Sequence, residues 1–67
     1  MIDIQPGDIL KVRNDYFILV TMVEKESGAI FGIIQGQKKE KRVGYQEYII
    51  KFINNKMWTY IPVIKDG

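Results

Sequence analysis

The chain has 67 residues, with ten lysine and arginine side chains against eight aspartate and glutamate side chains, and no histidine or cysteine. Without those two residue types the sequence offers no disulfide, no thiolate or imidazole metal ligand and no histidine general base. The apolar fraction of 46% is typical of a globular domain. We therefore expect one domain over residues 1–67, held together mainly by apolar packing.

The composition also bears on location and cofactors. No apolar run approaches the roughly 18 to 20 residues of a membrane span. The opening residues, MIDIQPGD, lack the basic and apolar pattern of a signal peptide. The carboxylates show no metal-binding or acid/base spacing. We expect a cytoplasmic protein without membrane contact, cofactor or catalytic residues.

The first two predicted strands form a hairpin. Residues 8–13 follow a Pro-Gly turn and alternate imperfectly between apolar and polar side chains, which indicates a half-buried strand. Residues 16–23, YFILVTMV, are almost wholly apolar and rich in β-branched and aromatic types, which favours a strand buried on both faces. Asn14 and Asp15 tolerate positive φ, so we predict a two-residue turn between the strands.

The next two strands carry most of the positive charge. Gly28 is predicted to adopt a left-handed conformation before a second apolar strand at residues 29–35, in which Gly32 indicates a bulge or a sharp bend. After a turn at Gly36 and Gln37, residues 38–43 are predicted to return as a strand. We call residues 36–42 the basic segment: it holds Lys38, Lys39, Lys41 and Arg42 against Glu40, whereas the rest of the chain has six basic and seven acidic residues.

A helix is predicted over residues 45–53. One helical face would hold the apolar side chains of Tyr45, Tyr48, Ile49, Phe52 and Ile53. Asn54 and Asn55 are predicted to supply a left-handed stop. A strand remains the alternative, because every second residue from Tyr48 to Phe52 is also apolar.

A final edge strand is predicted at residues 57–61. Trp58 and Tyr60 would share one side of it, and Met57, Thr59 and Ile61 the other. Pro62 cannot donate to a ladder, which places this strand at a sheet edge. Trp58 and Tyr60 are therefore candidates for a recognition surface.

The order of these elements implies a mainly β fold. Short connections favour antiparallel neighbours, and closure of such a sheet would bury one face and remove its edges. The opening PGDILKV, the tight first hairpin and the helical turn before the last strand resemble SH3-like small barrels. The resemblance implies an SH3-like antiparallel barrel of about five strands with a short helix before the last. Because strands two and three are apolar on both faces, we also expect self-association, most simply a dimer. The alternative is that the helix and the C-terminal tail cover the apolar surface.

The functional prediction is a non-enzymatic binding module. It would contact a protein or a nucleic acid through the basic segment and through Trp58 and Tyr60, although a cationic hairpin is also typical of a merely solvated tip. Tyr45 and Tyr48 are further candidates for base stacking, with core packing as their alternative.

Two other functions remain open. The chain is compatible with a small accessory protein of the kind that phages and mobile elements carry, which would inhibit a target by occupancy. The opening PGDILKVR also resembles that of MazF-type toxin ribonucleases, in which case Arg13 and Thr21 would be the candidate catalytic arginine and hydroxyl. The favoured alternative is that Arg13 is a charge at a strand end and Thr21 an ordinary strand residue. The resemblance does not extend beyond this opening, so catalysis is disfavoured.

Overall fold

Five strands and one helix make up the computed structural model, which describes residues 2–64. The strands are β1 (Ile9–Val12), β2 (Tyr16–Val23), β3 (Ala29–Ile34), β4 (Lys41–Tyr45) and β5 (Trp58–Ile61), and the helix α1 (Gln46–Asn54) lies between β4 and β5. All strands belong to one antiparallel sheet with the order β4-β3-β2-β1-β5. The predicted mainly β fold, with a short helix before the last strand, is confirmed.

The sheet is open, in contrast to the closed barrel that we expected. β4 and β5 are its two edges, and they are not hydrogen-bonded neighbours within residues 2–64. Helix α1 packs against both of them. Its nine residues fill the space that direct pairing of the two edges would need, so the helix and the sheet together enclose the core.

The core lies on the concave face of the sheet. Alternate residues of the strands point into it, and Ile4 and Ile49 cover them from the N-terminal segment and the helix; the strand residues are Leu10, Val12, Ile18, Val20 and Ile30. Ile50 and Ile53 also pack against this cluster. Tyr48 does not: its side chain is 51% exposed, and the ammonium of Lys51 lies 5.6 Å from its ring centre. Its predicted place on the core face of the helix is wrong.

A β-bulge lies beside Gly32, as predicted. Val20 pairs with Gly32 and Met22 pairs with Phe31, so Thr21 is the extra residue on β2. A Cβ atom on Gly32 would lie 2.5 Å from the carbonyl oxygen of Leu19. The close approach of β2 and β3 at this point therefore requires glycine.

Two positive φ angles fall one residue away from their predicted positions. The first hairpin has a three-residue turn, Arg13 to Asp15, in which Arg13 has φ 53°, so the predicted two-residue turn is wrong. The Arg13 N–H donates to the carbonyl oxygen of Met57, which accounts for this shift because it continues the pairing of β1 with β5. At the helix end Lys56, with φ 62°, takes the left-handed position, whereas Asn55 has φ −87°.

The helix ends in a Schellman motif. The N–H of Lys56 donates to Ile53 and the N–H of Met57 donates to Phe52, which satisfies two terminal carbonyl groups. The motif needs a left-handed residue directly after the C-cap. Because the helix extends to Asn54, its C-cap is Asn55 and the left-handed residue is Lys56. Gly28 has φ +79°, as predicted.

Candidate nucleic-acid interface

The basic segment is divided between a loop and an edge strand. β4 begins at Lys41, not at residue 38 as predicted, so Lys38 and Lys39 lie in the loop that connects β3 to β4. Lys41 and Arg42 are the first two residues of β4. All four side chains are exposed. The segment therefore presents four cations along one edge of the sheet.

The loop is fastened to the sheet at its start. The N–H of Gln35 donates to the carbonyl oxygen of Phe17 (2.8 Å), and the Phe17 N–H donates to the Gln35 side-chain oxygen (3.1 Å). Gly36, with φ +87°, then turns the chain, and the Gln37 N–H donates to Ile34 (2.8 Å). These bonds hold the base of the loop against β2 while its tip faces solvent.

The single acidic residue of the segment is bound elsewhere on the sheet. The hydroxyl of Thr21 donates to the Glu40 carboxylate. Since Thr21 lies on β2 and Glu40 directly precedes β4, the Glu40 side chain reaches across β3. Gly32, the β3 residue that pairs with Lys41, has no side chain to add bulk at the crossing. The hydrogen bond fixes the negative charge over the sheet, whereas the neighbouring cations are exposed to solvent.

Two cations of this region lie over aromatic rings. The Arg42 guanidinium is 5.4 Å from the Tyr45 ring centre, and the Lys11 ammonium is 5.8 Å from that of Phe17. Lys11 pairs with Phe17 across β1 and β2, next to the base of the loop. Sequence reasoning did not include Lys11 in the site, because its position depends on pairing between strands and the only sequence signal was its polar place in the alternation of β1.

Trp58 and Tyr60 lie on β5, at the other edge of the sheet from the basic segment. Helix α1 separates the two regions and contacts both edge strands. The Trp58 ring packs on Phe52 with ring centres 5.3 Å apart. The structure therefore does not join Trp58 and Tyr60 to the four cations in one surface.

The Tyr60 hydroxyl is bound within the fold. It donates to a carboxylate oxygen of Asp8 (2.8 Å). Burial, followed by the hydrogen bond to Asp8 and the charges of Asp8 and Asp3, raises the pKa of Tyr60 from 10.0 to about 12. The hydroxyl end of this ring is thus already occupied by an internal acceptor.

Arg13 and Thr21, the residues implied by the ribonuclease resemblance, are far apart along the sheet. Arg13 lies in the turn that precedes β2, and Thr21 lies near the other end of that eight-residue strand. At about 3.3 Å per residue, most of the length of the strand separates them. The structure does not bring them together as a pair.

No family model, curated protein or solved structure matches the chain. Within residues 2–64 no helix has the length and apolar character needed to cross a membrane.

Proposed function

We propose that the protein is a non-enzymatic module that binds nucleic acid by contacting backbone phosphates with the basic segment. The observation that carries the proposal is the hydrogen bond from Thr21 to Glu40. It occupies the only carboxylate of the segment, while Lys38, Lys39, Lys41 and Arg42 remain exposed. Neutralisation of phosphates by such cations releases counterions and provides affinity that does not depend on sequence.

The geometry of the loop supports the same function. A cationic loop that is ordered before binding loses less conformational entropy when a ligand immobilises it. The bonds between Gln35 and Phe17 order the base of this loop. Arg42, whose guanidinium lies against Tyr45, is similarly restricted, and Lys11 adds a fifth cation beside the loop.

The proposal leaves Trp58 and Tyr60 outside the binding surface, since both pack within the fold on the opposite edge. We further propose that the domain is of the SH3-like class, which the strand order and the helix before β5 support. A cytoplasmic location fits the absence of cysteine from the sequence.

The test compares two triple variants that lose the same charge. One changes Lys38, Lys39 and Lys41 to Gln, and its control changes the exposed Lys25, Lys51 and Lys56 to Gln. Binding to labelled single- and double-stranded oligonucleotides is measured by fluorescence anisotropy at several salt concentrations. The logarithm of the affinity falls as the logarithm of the salt concentration rises, and the steepness of this fall is roughly one unit per phosphate contact. We expect the first variant to make the fall less steep by about 2 to 3 units, because it loses three cations.

The control should retain most of the wild-type affinity at each salt concentration. Equal losses in both variants would show that only the total charge matters, and the basic segment would not be the site. If the wild type binds no oligonucleotide at low salt, the proposal fails, and a protein target bound by occupancy becomes the leading alternative. Circular dichroism of both variants establishes that they are folded.

A further inference from the structure

The convex face of the sheet, opposite the core, is apolar. Four side chains form a row across neighbouring strands, because Ile61 pairs with Ile9, Ile9 with Leu19 and Leu19 with Ile33. Phe17 lies beside the row. Leu19 is 45% exposed, Phe17 41% and Ile61 39%. We call these five residues the outer patch.

The chain itself covers the other face. The buried side chains of the N-terminal segment and the helix, Ile4 and Ile49, belong to the core cluster with Leu10 and Ile18. Leu10 and Ile18 alternate with Ile9 and Leu19 along β1 and β2, so they point to the opposite side of the sheet. Among residues 2–64, the elements outside the sheet therefore pack on the concave face.

We propose that a second copy of the chain covers the outer patch, so that two sheets pack face to face about a two-fold axis. A row of Ile and Leu side chains is self-complementary, which a two-fold interface requires. Two such faces can interdigitate about 10 Å apart, as they do in β-sandwiches. The molecule measures 29 × 28 × 24 Å, so a contact that spreads from the outer patch over the whole convex face is comparable with the ~800 Å² that each partner buries in a typical stable interface.

The charges around the outer patch also favour a second copy. Lys11 lies next to Phe17, on one side of Leu19 along the strands, and the Glu40 carboxylate is bound to Thr21 on the other side. The patch therefore has a positive charge on one side and a negative charge on the other. In a two-fold dimer, Lys11 of each copy can face Glu40 of the other copy.

The inference does not depend on nucleic-acid binding. Lys38 and Lys39 lie in the loop between β3 and β4, and Lys41 begins the edge strand β4, so these three cations lie outside the row. A dimer of this kind would carry two basic segments. Each basic segment could bind a separate nucleic-acid molecule. A nucleic acid long enough to contact both segments of one dimer would bind more tightly than one that contacts a single segment.

The experiment is sedimentation equilibrium of the wild type and three variants over a wide range of protein concentration. Leu19→Glu places a charge in the centre of the outer patch, and Leu19→Thr is a milder change that keeps strand propensity. Tyr48→Gln is the control, because Tyr48 is 51% exposed but lies on the helix. We expect the wild type and the control to reach twice the 7.8 kDa chain mass. Both Leu19 variants should weaken dimerisation, Leu19→Glu by about tenfold or more.

Circular dichroism and Trp58 fluorescence establish whether each variant is folded. A wild type that remains monomeric at the highest concentration would overturn the proposal, as would two folded Leu19 variants that dimerise as strongly as the wild type. If the wild type is monomeric and Leu19→Thr weakens oligonucleotide binding, the outer patch belongs to the nucleic-acid site instead. Loss of dimerisation with unchanged oligonucleotide binding would support both proposals separately.

Discussion

The Asp8 carboxylate connects the N-terminal segment to β5 and the residues that follow it. It is 1% exposed and accepts hydrogen bonds from the N–H of Gln5, the hydroxyl of Tyr60 and the N–H of Val63. A buried carboxylate is tolerated only when such donors replace its hydration. Sequence analysis placed Asp8 at the start of a strand and missed this role, because two of the three donors lie more than fifty positions further along the chain.

Tyr60→Phe tests this arrangement through its pH dependence. At neutral pH we expect the substitution to lower the free energy of unfolding by about 1–3 kcal/mol, because Asp8 loses one of three donors. The pKa of Tyr60 in the folded protein is about 12, above the ordinary value of 10.0. Its stabilising contribution is therefore complete below pH 10 and is lost as the pH rises through about 12.

Urea unfolding at neutral pH and at several alkaline pH values measures this difference. The gap in stability between the wild type and Tyr60→Phe should narrow as the pH rises from about 10 to 12. Tyr48→Phe removes the hydroxyl of a largely exposed tyrosine and controls for general effects of the substitution. A gap that stays constant over this range would mean that the folded state does not favour the neutral hydroxyl.

The helix and the strands were largely predictable because their apolar residues recur at regular helical or strand spacing. The helix was expected at residues 45–53 and occupies Gln46–Asn54, since Ile49, Phe52 and Ile53 recur at helical spacing. The turns were less predictable. Asn and Asp types indicate where positive φ is tolerated. The hydrogen bond from the Arg13 N–H to Met57, and that from the Lys56 N–H to Ile53, instead place the positive φ at Arg13 and Lys56.

Gly32 is the residue on which the pairing of β2 and β3 most depends. We expect Gly32→Ala to lower the free energy of unfolding by roughly 2 kcal/mol or more, because the new methyl group would meet the Leu19 carbonyl oxygen at 2.5 Å. Gly36→Ala is the matched control. It meets no atom within 4 Å, and it should cost about 1 kcal/mol for its positive φ. Urea unfolding monitored by Trp58 fluorescence compares them, and equal costs would contradict a steric role for Gly32.

At the scale of the whole molecule, the sequence predicted an antiparallel sheet but not which strand its last strand pairs with. Short connections account for the β1-β2-β3-β4 neighbours. The pairing of β5 with β1 is instead a long-range contact, and it places Trp58 and Tyr60 on the edge opposite Lys41 and Arg42. Local patterns carry no information about such a pairing, so the sequence suggested one binding surface where the structure has two separate regions.

A circular permutant tests the independence of the basic loop from the fold. It joins Ile64 to Ile2 through a short Gly/Ser linker and begins at Lys39, inside the loop. We expect it to fold, because the break falls in an exposed loop and leaves every strand intact. A second permutant that begins at Val20 divides β2 and should not fold. Circular dichroism and urea unfolding compare the two, and an unfolded first permutant would show that the loop is needed for the fold.

The position of the Asp8 bonds has a mechanical consequence. Ile9 pairs with Ile61, so the chain enters β1 and leaves β5 at the same end of an antiparallel pair. A force that pulls Gln5 and Val63 apart would therefore peel β5 from β1 one hydrogen bond after another, instead of shearing all of them at once. The bonds to Asp8 would break first, and they set the resistance at the start of the peeling. A domain loaded in this direction should open at low force, even where its resistance to urea is high.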